Sequence, residues 1–560
     1  MRAVRFVAYM RGTGNAISGI YMMLAVFRRA FGVLTVVSLL AAGLVWSGSA
    51  RADVQSTAFR QAVAEAAASD RDLAEFYRET EYRPVWTDEG STAQARRQAL
   101  VQALSQAGMH GLPEARYDLD GLMARMGAAR SLRDLGLIEV ALSRAYLSYA
   151  RDVQSGVLEP NRVVYEIKRE VSDSPATVLL GDLVRADAPR QALRALPPRT
   201  NEYARLMKEK MRLEHLIREG GWGPAVPSQK LEPGQGGQAV IALRNRLVAM
   251  GYLRRSASTL YDGAIQTAVQ EFQRDHGLQT DGIAGPSTLA ALNRSAVERL
   301  QSVIVAMERE RWLARDRGTR HVLVNLTDFS ARILDNDSLT FQTRAVIGKN
   351  VGDRRSPEFS DEMEHLVINP TWHVPRSIAV KEYLPQMKRN PNAAGHLKLY
   401  NRNGREVPRG AVNFGAYNAR NFPFAIKQPP SSRNALGLVK FMFPNKYNIY
   451  LHDTPQKALF EREKRDFSHG CIRLQQPFDF AYEILSPQEA DPRAYFHSVL
   501  GTGRETYVQL EQHVPVHIIY RTAFTQAQGR VQYRDDVYQR DAAIWEALRK
   551  AGVSLATVQS

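Results

Sequence analysis

The chain has 560 residues, too many for a single hydrophobic core, so about two to four domains are expected. Its apolar share of 44% is ordinary for a globular protein, and its formal net charge of +16 suits either an anionic polymer as partner or an arginine-rich composition alone. The basic residues are spread along the chain with no nucleic-acid motif, which argues against nucleic acid as partner, and a single cysteine excludes an intramolecular disulfide.

At the N-terminus, Arg28-Arg29 precede an apolar run over 31–46 and then Ala50-Arg51-Ala52. A positive segment, an apolar stretch and an A-x-A-type site make residues 1–52 an expected signal peptide. Its start looks over-extended, with Met22 or Met23 as the expected first residue. The alternative is an uncleaved membrane anchor, although the run is short for a span. Residues 53–223 are expected to form a helical domain. Segments 59–76 and 133–149 carry helical spacing, joined through the aromatic stretch Tyr82-Arg83-Pro84-Val85-Trp86. Segments 104–112 and 117–119 read as helix, glycine turn and re-entry. Residues 224–237, rich in Gly and Pro, read as a linker.

Residues 238–294 read as a small three-helix unit. Val240, Leu243, Leu247 and Met250 mark the first helix, Ile265, Ala268, Val269 and Phe272 the second, and Pro286 opens the third. The series Ala268-Val269, Phe272-Gln273, Gly277-Leu278, Asp281-Gly282, Gly285, Thr288 and Leu292 closely resembles the motif of the peptidoglycan-binding module. That resemblance implies its fold and a glycan ligand. A connecting helix is expected over 295–318, with Leu300, Ile304, Met307 and Trp312 on it.

From Arg320 the apolar period switches to two. Strands are expected at 321–325, 331–335, 339–346 and 365–369, with a turn at Asn336-Asp337, and again through 441–451. This β-rich catalytic domain is expected to cover 319–505, interrupted by an insertion at 376–433 rich in Asn, Pro, Lys and Arg. A helix at 478–485 follows the last motif. Residues 506–560 read as a C-terminal extension, with extended segments at 514–521 and 531–538 and a helix at 542–550.

The chemistry concentrates in Ser468-His469-Gly470-Cys471-Ile472-Arg473. Cys471 is the lone cysteine, and Tyr450-Leu451-His452-Asp453 lies upstream of it. A cysteine with a histidine placed elsewhere in sequence points to a thiol nucleophile and its base. A free thiol in an exported chain is a liability without a function. From His452 there are fifteen intervening residues to Ser468. This arrangement resembles the signature of the L,D-transpeptidases with a YkuD-type catalytic domain. Asn369 to Pro375, Val346-Ile347-Gly348 and Ser356-Pro357 resemble further segments of that family. Residues 53–223, through Tyr82-Arg83-Pro84-Val85-Trp86, resemble the scaffold of its larger YcbB-like members.

The resemblance implies a multidomain α+β protein with a helical scaffold, a three-helix peptidoglycan-binding domain and a β-rich catalytic domain capped by the insertion. It implies Cys471 as nucleophile and His452 as base, the ring oriented by the carbonyl of Asp453. His469 is the alternative base; otherwise His469, Gly470 and Ser468 shape the loop, with backbone amides at 469–471 facing an oxyanion. Arg473 is expected to bind substrate. Tyr450 and Trp372 are expected to wall the donor site or to pack in the core. The implied reaction releases D-alanine from a stem tetrapeptide and joins two stems 3→3, with protein attachment or carboxypeptidase action as alternatives. A non-catalytic wall-binding protein would lack Cys471 or His452, and both are present. The implied partners are peptidoglycan stem peptides and glycan, with carbapenems as inhibitors, in the periplasm or cell envelope. His321, His365, His373 and His396 show no metal-ligand spacing, so neither metal nor cofactor is expected.

Overall fold

The structure, a computed structural model, describes residues 57–171, 173–313, 317–526 and 529–555. The chain divides into two units, Met1–Ala58 and Phe59–Ser560. Nearly all of the first, including the expected signal peptide, lies outside the described residues. The second carries the helices and sheets that position the site. Among the described residues, no helix is long and apolar enough to cross a membrane.

The N-terminal part of this second unit is helical. The expected helix over 59–76 is two helices, because Asp70 stops the first and caps the second by accepting from the Leu73 amide at 3.1 Å. The long helix Leu132–Ser155 starts at a reciprocal capping box between Ser131 and Asp134 and buries one face against its neighbours. Around it, Glu139 is fully buried and accepts from the backbone amides of Val85, Trp86 and Thr87, fixing the aromatic stretch.

The helices Gln238–Ala249, Gly263–Asp275 and Pro286–Leu292 pack on their own core. The motif residues here do structural work. The Gln273 amide donates to Asp281, Ile283 and Thr288 and accepts from the Gly282 amide. Segment 224–237, expected as a linker, is folded onto this unit. Val226 and Leu231 are in its core, and Leu231 bridges to Ala284. Apolar Val and Leu among the Gly and Pro residues account for that.

The catalytic region is built on strands β1 (Arg320–Asn325), β2 (Ser330–Asp335), β3 (Ser338–Gly348) and β4 (Phe359–Ile368). Asn336 and Asp337 both have positive φ, 49° and 62°, as a tight hairpin between β2 and β3 requires. The insertion follows, with β5 (Trp372–His373), β6 (Lys398–Tyr400), β7 (Glu406–Val407) and β8 (Ala425–Gln428) in a separate sheet ordered β5-β8-β6-β7, over its own core. Then come β9 (Val439–Met442), β10 (Leu451–His452), β11 (Asp466–Ser468), β12 (Ile472–Leu474) and β13 (Thr506–Ile519). The large sheet runs β11-β3-β12-β10-β9-β4-β13-β1-β2, and β3 also pairs with β2, so the order returns on itself.

One expected boundary is wrong. A catalytic domain ending at 505 would cut off β13, which is interior, antiparallel to β4 and parallel to β1. Its Val508, Leu510, Val514, Val516 and Ile518 are buried in the common core. The extension proper begins after Ile519.

The parts meet at the end of the helix Ala296–Arg311, where Glu308, Arg309, Glu310 and Arg311 are 0%, 4%, 2% and 4% exposed. Consecutive helical residues point about 100° apart, so four of them reach all sides. Glu308 accepts from the amides of Val157 and Leu158, and Arg311 reaches the His110 carbonyl and Tyr203. Glu310 pairs with Arg521 and Arg317. Arg309 donates to Glu358 at 2.6 Å and to Asp541 at 2.9 Å. Glu358 also accepts from Arg540 at 2.9 Å, and its backbone exchanges bonds with Glu166 and Lys168. Glu358→Ala would leave buried Arg540 without a carboxylate and Arg309 with Asp541 alone, a loss of about 3–5 kcal/mol. Urea unfolding is expected to show it, with Glu358→Gln losing less because its amide oxygen still accepts.

Candidate active site

At the middle of the sheet, β10 lies between β12 and β9. Leu451 faces Ile472 on one side and Phe441 on the other, while His452 faces Arg473 and Lys440. Directly paired residues share a face. Leu451, Ile472 and Phe441 are therefore turned together into the core, all 0% exposed. Arg473, His452 and Lys440 form a row on the opposite face. Cys471 immediately precedes β12, and the Arg473 charge acts on both the Cys471 thiol and the His452 ring, which puts the two side chains in one neighbourhood.

His452 is buried, and its Nδ1 lies 2.5 Å from the carbonyl of Asp453, the atom expected from sequence. The Leu436 carbonyl also engages the ring. With Nδ1–H donating to carbonyl oxygen, Nε2 carries the lone pair available to accept a proton. The Asp453 carboxylate stays off the ring and accepts from the amides of Leu438 and Thr454 and from Lys457. It sits against Gly437, φ 64°, where a Cβ would lie 2.3 Å from the carboxylate. Burial, with Arg473 and Lys440 adding positive charge alongside, lowers His452 to about 3.

Cys471 is half-buried, and its thiol donates to the Asn448 carbonyl at 3.5 Å. The Asn445 amide folds loop 443–449 by donating to Phe443 and Ile449 and accepting from Tyr447, which brings Asn448 to the thiol. Tyr450 contributes hydrogen bonds to the sulfur, and its ring meets His452 edge-on at 5.6 Å. Burial pushes the thiol up to about 11 against these bonds. The resting pair is therefore a neutral thiol beside a neutral imidazole, and proton transfer has to accompany attack.

The loop before Cys471 is held from three directions. Gly470, φ 116°, accepts at its carbonyl from Ser356 Oγ at 2.6 Å. Ser356 Oγ accepts from the Gly348 amide at 2.9 Å, and the Ser356 carbonyl accepts from Arg540 at 2.7 Å. Tyr538 donates to the Gly348 carbonyl. From the insertion, Glu382 Oε1 lies 2.7 Å from His469 Nε2 and 2.6 Å from Arg354. Glu382 belongs to a π-turn, Ala379–Tyr383. The amides of Gly470 and Cys471 meet no acceptor among the described residues, so both remain able to face an oxyanion. Ser468 is buried at the end of β11, and its carbonyl accepts from the Lys349 amide.

Arg473 donates to Gln456 at 2.6 Å, has a buried unpaired Nε and meets no carboxylate among the described residues. Trp372 is packed in the insertion's core, edge-on to Tyr383, and Tyr450 packs against that same core. Sequence reading missed Ser356 as a loop anchor, as well as Glu382, Tyr538, Arg540 and Lys440. The alternation of Val439–Met442 held a signal for Lys440; the others carry none, since they arrive from distant segments. Among the described residues no cluster of His, Cys, Asp or Glu is placed to hold a metal.

Three family models match the chain: a scaffold domain over 71–209, a "Putative peptidoglycan binding domain" over 236–292 and an L,D-transpeptidase catalytic domain over 319–508. A Haemophilus influenzae protein described as "Putative L,D-transpeptidase" is 27% identical over 237 residues, 41% of this chain and 47% of that protein. The chain thus spans about half the length of the curated relative it matches. An L,D-transpeptidase structure from Xylanimonas cellulosilytica aligns with 53% of this chain and 100% of its own at 16% identity and TM-score 0.16. One from Stackebrandtia nassauensis aligns with 53% and 97% at 14% and 0.21.

The neutral resting pair has a consequence for reactivity with pH. Alkylation of Cys471 by iodoacetamide is expected to keep rising through pH 9, since thiolate forms only toward the raised pKa of about 11. No inflection is expected near 6.5, because His452 stays neutral down to about 3. A rate already flat above pH 5 would reveal a preformed thiolate–imidazolium pair and overturn this description.

Proposed function

The chain carries an L,D-transpeptidase catalytic domain and a peptidoglycan-binding domain; from that premise, we propose that it is a cysteine-dependent L,D-transpeptidase acting on peptidoglycan outside the cytoplasm and forming 3→3 cross-links. What supports the reading is that Cys471, just before β12, and His452, on the adjoining β10, both feel the Arg473 charge, with the ring held by the Asp453 carbonyl, inside the matched segment 319–508.

In the donor half-reaction, the Cys471 sulfur attacks the carbonyl between the diamino acid and D-alanine as His452 Nε2 takes the thiol proton. The tetrahedral oxyanion sits at the Gly470 and Cys471 amides. Collapse forms the thioester and breaks the C–N bond, and the proton on His452 goes to the departing amine. In the second half, the amine of another stem attacks the thioester, His452 removes its proton, and the thiol is restored. The balance needs no cofactor. An amine held in place at the thioester competes with water through orientation.

Incubation of the chain from Asp53 with disaccharide-tetrapeptide, followed by mass spectrometry, tests this. The expected product is a dimer lacking one D-alanine. Cys471→Ala is expected to abolish it, and His452→Ala to slow it by about 10²–10⁴-fold. Tripeptide alone would replace cross-linking by carboxypeptidase action or by attachment to an absent protein acceptor. Absence of D-alanine release, together with absence of a carbapenem adduct on Cys471, would sink the enzyme reading.

A further inference from the structure

Lys440 is a partly buried lysine to which neither the catalytic steps nor the fold assigns a task. It lies directly opposite His452 in the β9–β10 pairing, so both side chains rise from the same face. Its ammonium makes no hydrogen bond or ion pair among the described residues. The one acidic group whose field reaches it, Glu505, is engaged with the Thr371 amide at 2.8 Å. From the insertion, His373 and Lys427, paired across β5 and β8, supply no anion: burial and the nearby Lys427 and Lys440 charges hold the His373 ring toward its neutral form. A half-buried cation kept without a partner is costly unless an anion meets it there.

The strand order places that cation along the reaction axis. Cys471 immediately precedes β12, His452 belongs to β10 and Lys440 to β9, three neighbours in succession. The acyl carbon bonds to the sulfur and the leaving nitrogen turns toward His452. In a terminal D-alanine, the carboxylate carbon is two bonds beyond that nitrogen. Continuing across the sheet brings it to β9. Building on the transpeptidase reading, we infer that Lys440 binds the free carboxylate of the donor's terminal residue and thereby selects stems that end at the scissile residue. A stem one residue longer would offer a neutral amide at that point. Arg473, on the far side of His452, is left for a carboxylate on the acyl side.

Titration calorimetry on the Cys471→Ala protein tests the inference without turnover. The probes are disaccharide-tetrapeptide and the same donor ending in a D-alanine carboxamide. The acid is expected to bind about 10- to 100-fold tighter, the range of a charge-assisted hydrogen bond. Lys440→Met in that background is expected to remove the preference, and Lys440→Arg to keep most of it. Equal binding of acid and amide, no binding of either, or a preference that survives Lys440→Met would overturn the inference. Should Lys440→Met leave the preference intact but shift the pH profile of D-alanine release in the Cys471 protein, the residue tunes His452 and does not read the donor. If the preference follows Lys440 while the Cys471 protein releases no D-alanine, the transpeptidase reading fails and the carboxylate site stands.

Discussion

Everything in the described structure turns on four buried charges at the end of one helix. Glu308, Arg309, Glu310 and Arg311 carry no net charge together, and each is matched by partners from a different part of the chain. Burying ions is costly when any partner is lost, so such a node tolerates few arrangements. Glu358 is its counterpart in the catalytic region. The side chain holds Arg309 and Arg540, while the backbone pairs with Glu166 to Lys168 of the helical part. One residue thus joins the scaffold, the connecting helix, the β-sheet and the C-terminal segment.

The same node reaches the candidate site in few steps. Arg540 holds the Ser356 carbonyl, and Ser356 Oγ holds the Gly470 carbonyl. The residue after Gly470 is Cys471, the proposed nucleophile. From the other side, the insertion contributes Glu382 to His469. A loop carrying a glycine at φ 116° would sample many conformations alone. Bonds from the 348–358 segment, the C-terminal segment and the insertion restrict it, while the Gly470 and Cys471 amides meet no acceptor among the described residues. Precise placement of an oxyanion site demands supports of this kind.

Electrostatics at the site favour a neutral resting state. Burial raises the thiol and lowers the imidazole, and the two flanking cations lower the imidazole further. A neutral cysteine is less exposed to oxidation than a standing thiolate. The cations beside His452 disfavour its protonated form until a negative charge, on sulfur or on a bound carboxylate, compensates them.

Much of this was legible in the chain itself. Local patterns marked the three-helix unit, because its turns and caps are set by neighbours in sequence: Pro286, Asp281-Gly282 and Gly277. The spacing of His452 and Cys471 marked the chemistry, and the adjacent carbonyl of Asp453 is local to its histidine. Other features came from the fold alone. Glu308 to Arg311 read as a charged surface run until neighbours arrive on every side of the helix. Of the two places open to Trp372, the fold put it in the insertion's core, and β13 belongs in the middle of a sheet that sequence spacing closed too early. Lys440, Glu382, Ser356, Tyr538 and Arg540 reach the site across separations of roughly ten to more than a hundred residues. Residue types and short spacings determine which chemistry a chain can attempt. Strand order and long-range pairing, set only when the core closes, decide which side chains share the face where it happens.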